Sequence, residues 1–179
     1  MVITLIGYRG SGKTTVARPL AERLNWSWID ADTVIEQTAG CTIREMFARQ
    51  GEPAFRELER QVMSDLLGRD RLVIAAGGGA ILNSETRERL KSAGPVIWLQ
   101  ASLGTLQARI QEDVTTAQRR PNLTRQGGLG EIAQVLAIRE PLYRECATLA
   151  VDTDTTPLGA IVDQILDHLP PFGRVEMPS

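Results

Sequence analysis

Short apolar runs recur along the chain at Val2–Ile6, Trp26–Ile29, Leu72–Ala75, Val96–Leu99 and Leu149–Val151. Their apolar character is nearly continuous, which is the pattern of parallel strands covered on both faces. Amphipathic segments lie between them. The clearest is the last, where Leu158, Ile161, Val162, Ile165, Leu166 and Leu169 keep one apolar stripe. Pro157 falls at the favoured first-turn position of that helix, behind Thr155 and Thr156 as capping residues. Strands alternating with helices predict an α/β fold whose parallel sheet is joined by right-handed crossovers.

Two stretches break the alternation. Residues 32–68 carry two or three helical patterns between the second and third strands, more than one crossover needs. Residues 113–130 are polar, with Arg119, Arg120, Pro121, Arg125 and the Gly127–Gly128 pair. A polar loop of that length inside a compact domain reads as a functional lid or as a disordered segment, and a lid is expected here. The segment 170–179 is Pro-rich and reads as a frayed tail, leaving 1–169 as a single domain.

Bulk properties narrow the classes without choosing one. The 179 residues fit one domain, with 42% hydrophobic and 23% charged residues and a net charge of −2. That charge gives no electrostatic case for nucleic acid or a membrane surface. The apolar run Val2–Ile6 is too short for a membrane span and has no basic region before it. Cys41 and Cys146 belong to no CxxC pattern and read as free thiols. Together these features predict a cytoplasmic protein. Lysine occurs only at positions 13 and 91, the other basic residues being arginine, so no arginine counts as functional without a positional reason.

The sharpest motif follows the first strand. Gly7-Tyr8-Arg9-Gly10-Ser11-Gly12-Lys13-Thr14 fits G-x-x-x-x-G-K-[ST], and a helical pattern (Val16, Leu20, Leu24) leaves it. Glycines let several backbone N–H groups face one anion, and the helix N-terminus adds partial positive charge. In such a loop Lys13 reaches the β- and γ-phosphates of ATP and the Thr14 hydroxyl ligates Mg²⁺. Gly10, Ser11, Gly12 and Thr15 complete the nucleotide-binding set. No Asn-Lys-x-Asp guanine reader is present, and the DxxG at Asp65–Gly68 ends an amphipathic helix, which argues against a GTPase.

The acceptor side is read from strand ends, where ligands bind in open α/β sheets. Asp30 and Asp32 end the second strand, and extended-chain alternation puts them on one side. One carboxylate can order the water shell of Mg²⁺ while the other takes or orients a hydroxyl proton; Asp32 as a helix cap is the competing role. Gly77, Gly78 and Gly79 follow the third strand and permit close approach of backbone to ligand. Arg56 stands off the apolar stripe, either paired with Glu52 or Glu59 or facing a ligand. Arg139 precedes Glu140-Pro141-Leu142-Tyr143, and both arginines suit a carboxylate.

Taken in order, GYRGSGKT, the Asp30-Ala31-Asp32 triplet, GEPAFRELE, AGGGA, the Arg119-Arg120-Pro121 triplet and REPLYRE resemble the shikimate kinase family from about Val2 to Leu169. The resemblance implies a P-loop, nucleoside-monophosphate-kinase-like three-layer sandwich with a lid. Its five-stranded parallel sheet would run in the order 2-3-1-4-5. It implies transfer of the ATP γ-phosphoryl group to the 3-hydroxyl of shikimate. The expected protein is a monomer that binds neither nucleic acid nor membrane. By motif, Asp32 is the hydroxyl-orienting base and Arg56, Arg139 and Gly77–Gly79 hold shikimate. Arg120 closes over the phosphates with Lys13, Thr14 and Asp30 serve Mg²⁺, and Arg109 stacks on adenine.

Three features depart from the family pattern. The lid reads Pro121-Asn122-Leu123, Ala76 precedes the glycines where Thr or Ser is common, and Asp154–Pro157 lacks an arginine often found near adenine. Two rivals remain at this point. One is another small-metabolite kinase of the same fold, such as a gluconate kinase; the other is a catalytically silent nucleotide-binding regulatory domain.

Overall fold

Every residue of β1 (Val2–Ile6) is buried, and its side chains divide by parity between two cores. Val2 and Ile6 enter one core and Ile3 and Leu5 the other, as the two-residue repeat of a strand requires. This strand is therefore the centre of a sheet packed on both faces. The computed structural model describes residues 1–113 and 128–169.

The remaining strands are β2 (Ser27–Asp30), β3 (Leu72–Ala75), β4 (Val96–Gln100) and β5 (Leu149–Asp152). All pair in parallel in the order β2-β3-β1-β4-β5, with Val2 opposite Leu72 and Thr4 opposite Val96. The predicted strands agree to within a residue at their ends.

Helices α1 (Lys13–Leu24) and α7 (Leu158–His168) cover one face. On the other lie α2 (Ala31–Ala39), α3 (Ile43–Leu67), α4 (Ser84–Ala93) and α6 (Gly128–Cys146). Helix α5 (Leu103–Glu112) joins a smaller cluster around Tyr8, Leu106, Ile132 and Val135. This is the three-layer P-loop kinase architecture expected.

The extra helical segment has a clear local logic. A capping box between Thr42 and Glu45 starts α3. Gly51, at φ 81°, breaks it internally, and Pro53 opens the second half, where a missing N–H costs least. The kink brings the rings of Phe47 and Phe55 to 4.9 Å.

One detail differs from expectation. Helix α7 begins at Leu158, with Pro157 as its N-cap, and no side chain caps it. The Thr155 hydroxyl donates to the Asp152 carboxylate at 3.1 Å, which takes it away from the helix end. Cys41 and Cys146 are both free, and burial pushes the Cys146 thiol up. Among the described residues no helix is long and apolar enough to cross a membrane. Of the segment 113–130 expected to act as a lid, residues 114–127, including Arg120, lie outside the described residues, as does the expected tail 170–179.

Candidate active site

The phosphate loop leaves β1 through Gly7, at φ 142°, where an added Cβ would meet the Leu99 carbonyl and, at 2.8 Å, the Ser11 hydroxyl. Gly10 and Gly12 also take left-handed backbone, at φ 82° and 90°, and Gly12 caps α1. The first turn of α1 carries no acidic residue of its own. The Lys13 ammonium donates to the carbonyls of Gly7 (3.0 Å) and Tyr8 (2.8 Å), which holds the cation over the loop.

Beside the loop opens a cleft of about 460 Å³. It is lined by Gly10, Gly12, Lys13, Thr14 and Thr15 from the loop and α1, together with Asp30, Asp32 and Arg109. Ser11 is buried beneath the loop instead: its N–H donates to the Tyr8 carbonyl at 3.1 Å.

The two aspartates come together for a different reason than strand alternation. Asp32 is in the first turn of α2, not in the strand. Asp30 is the helix cap, accepting the Asp32 N–H on Oδ1 at 3.0 Å, so the capping role considered for Asp32 belongs to Asp30. The second oxygen of Asp30 accepts the Thr14 hydroxyl at 2.7 Å. Thr14 and Asp30 thus present adjacent hard oxygen atoms at the cleft.

A second cavity adjoins the first and shares Arg9 with it. Its walls include Phe47 and Phe55 from α3, Gly78 and Gly79 from the β3 turn, and the guanidinium groups of Arg56 and Arg139. Sequence spacing left the two arginines unrelated; here α3 and α6 bring them to one hollow. Gly77 lines neither cavity, and its carbonyl accepts from Ala80 in the turn (3.0 Å).

Both arginines are held by acceptors of the protein itself. Arg56 donates to Glu59 at 2.7 Å and to Glu52 at 3.0 and 3.1 Å, so its ion pairs and its cavity position coexist. Burial pushes the Glu59 carboxyl up, against the opposing pull of Arg56 and Arg139. Burial would lower the Arg56 pKa, but Glu59 and Glu52 more than reverse that. Arg139 is buried and donates to the Gly78 carbonyl at 3.0 Å, which also accepts the Tyr143 hydroxyl at 2.6 Å.

Sequence reasoning did not single out Glu59 or Tyr143 as site supports. Glu59 lies one turn from Arg56, so i,i+3 spacing offered a signal. Tyr143 gave none, because its link to Gly78 spans 65 residues. Arg109, which also lines the cleft, donates to Thr153 and to the Gly10 carbonyl.

The shikimate kinase family model matches residues 9–170. A shikimate kinase of Rhodopirellula baltica is 42% identical over 93% of this chain and 89% of its own. The structure of Acinetobacter baumannii shikimate kinase in complex with shikimate has a TM-score of 0.84 and 37% identity, covering 93% of this chain and 90% of that one. A gluconokinase from Sinorhizobium meliloti shares only the fold, at 19% identity and TM-score 0.59 over 93% of this chain and 90% of its own. The match thus spans both walls of the site, the phosphate loop and the paired arginines alike, and the chain belongs to the shikimate kinase family.

Proposed function

We propose that this chain transfers the γ-phosphoryl group of ATP to the 3-hydroxyl of shikimate. The observation that carries the reading is the convergence of Arg56 and Arg139 on one partly apolar cavity beside the phosphate loop. A flat cyclic acid suits those walls: guanidinium groups take its carboxylate and Phe47 and Phe55 border its ring.

The loop amides and the α1 N-terminus bind the phosphates, and Lys13 and Arg120 share the charge on the transferring group. Asp32 orients the acceptor hydroxyl and takes its proton as the new O–P bond forms. The β–γ bridging bond breaks, and ADP leaves with the electron pair. Arg109 offers its guanidinium face to adenine. Residues 113–130 act as the lid that excludes water, so that ATP is not hydrolysed in place of transfer. The helical segment 32–68 binds the acceptor, and 1–169 form one kinase domain.

Mg²⁺ fits the oxygen atoms present. Thr14 Oγ1 and Asp30 Oδ2 are 2.7 Å apart, a small hard donor set of the kind that holds Mg²⁺ alongside substrate phosphates and water. Bound there, the ion would neutralise phosphate charge, with Thr14 as direct ligand and Asp30 acting through water. The protein acts as a monomer, and its free thiols suit the cytoplasm.

A coupled ADP-release assay tests the reading. Release should depend on shikimate and remain at background with gluconate or no acceptor. Equal release with gluconate would favour the other small-metabolite kinase, and no release with any acceptor would favour the silent regulatory domain.

A further inference from the structure

Arg109 is a flat group lining the cleft, and the Thr153 hydroxyl is one of the acceptors that hold it there. Thr153, just beyond β5, is buried. Its Oγ1 accepts from Arg109 Nη1 at 3.0 Å, and its carbonyl accepts from Arg109 Nη2 at 2.7 Å. Its hydroxyl proton is placed to serve the carbonyls of Gln100 (2.9 Å) and Ser11 (3.3 Å). Its N–H donates to the Gln100 carbonyl at 2.8 Å, which fixes its backbone to the end of β4. Arg109 Nη1 also reaches the Gly10 carbonyl at 3.3 Å.

Guanidinium N–H groups point outward in the plane of the group. Bonds to Thr153 and Gly10 therefore use the edge of Arg109 and leave its face for a planar ring. Without such an anchor an arginine retains substantial rotamer freedom, which a stacking ligand must remove on binding. Resting on the nucleotide reading of the cleft, we infer that Thr153 is a positioning residue that pre-sets the Arg109 plane for the base. It acts on the heteroaromatic ring of the nucleotide more than on its phosphates.

Calorimetric titration of the full chain with ADP and with inorganic tripolyphosphate separates these parts. Thr153→Val keeps shape but removes the hydroxyl and should weaken ADP about tenfold, the loss expected of one hydrogen bond to a charged group. Tripolyphosphate, which has no base, should bind within about twofold of wild type. Thr153→Ser should restore ADP affinity, and Thr153→Val should add less than about twofold in an Arg109→Ala background. If Thr153→Val does not fold, Thr153→Ala is read in the same way.

Unchanged ADP affinity, or equal weakening of both probes, would overturn the inference; the second result would assign Thr153 to the phosphate loop. A wild-type chain binding neither probe would sink the nucleotide reading itself, and this inference with it.

Discussion

Replacing Gly79 by alanine adds one methyl group where the acceptor cavity has least room. The new Cβ would lie 3.0 Å from Arg56 Cζ and 3.1 Å from Nη2, and closer still to Nη1. The backbone is not the obstacle: Gly79 has φ −105° and ψ −1°, which alanine adopts without strain. The clash is with the far end of a flexible side chain, so the guanidinium swings aside and the fold survives. Its bonds to Glu59 and Glu52 stretch or break, and the group leaves the position from which it meets a carboxylate. Hydrogen bonds to charged groups contribute about 1.5–3 kcal/mol. Their loss should raise the KM for shikimate by about 10- to 150-fold. Stability should fall by about 1–3 kcal/mol, because buried Glu59 loses its partner. Coupled ADP-release kinetics at saturating ATP, with thermal melting in parallel, measures both. A KM within about twofold of wild type would show that Arg56 does not contact the acceptor from this position. A loss of stability well beyond that range would mean that the turn was damaged and not the arginine alone.

Other substitutions separate the remaining roles. Asp32→Asn should lower kcat at least about a hundredfold at nearly unchanged Tm and with ATP binding retained, because Asp30, not Asp32, caps α2; a kcat within a few-fold of wild type in steady-state kinetics would refute the catalytic role. Lys13→Ala should abolish transfer while circular dichroism shows a wild-type fold, and near wild-type turnover would sink the phosphate-loop assignment. Because burial pushes the Glu59 carboxyl up, acidification should protonate it above the ordinary glutamate range, release Arg56 and raise the shikimate KM. Glu59→Gln should show a raised KM at neutral pH and no such acid limb, and identical KM–pH profiles would contradict this. The same shift makes Glu59 ionisation unfavourable in the folded state. Stability associated with its protonated form is present below the ordinary glutamate pKa and is lost as pH rises through the raised value, which unfolding curves of wild type and Glu59→Gln should distinguish.

The parts legible in the sequence were those written locally. Strand runs and the helix after the phosphate loop are short-range features, and the fold matches them. The pairing of Arg56 with Glu59 was also visible as helical spacing, but its place in the cavity was not. Asp30 and Asp32 were correctly grouped for the wrong reason: the strand ends between them, and a helical turn brings both to the cleft. What escaped was long-range. Tyr143 meets Gly78 across 65 residues, and Thr153 meets Ser11 across 142. No periodicity encodes such contacts, because they depend on how strand ends assemble across the sheet. Pro157 shows a nearer limit, since the position of a helix start can shift by a residue when the neighbouring hydroxyl finds another partner.

The central claim concerns which atom receives the phosphoryl group. Incubating the full chain with ATP, Mg²⁺ and shikimate and recording phosphorus–proton correlation spectra of the product identifies it directly. The account predicts one phosphate ester, its phosphorus coupled to the proton on C3, formed in step with ADP. Phosphate at another hydroxyl, or ADP with free inorganic phosphate and unchanged shikimate, would contradict it.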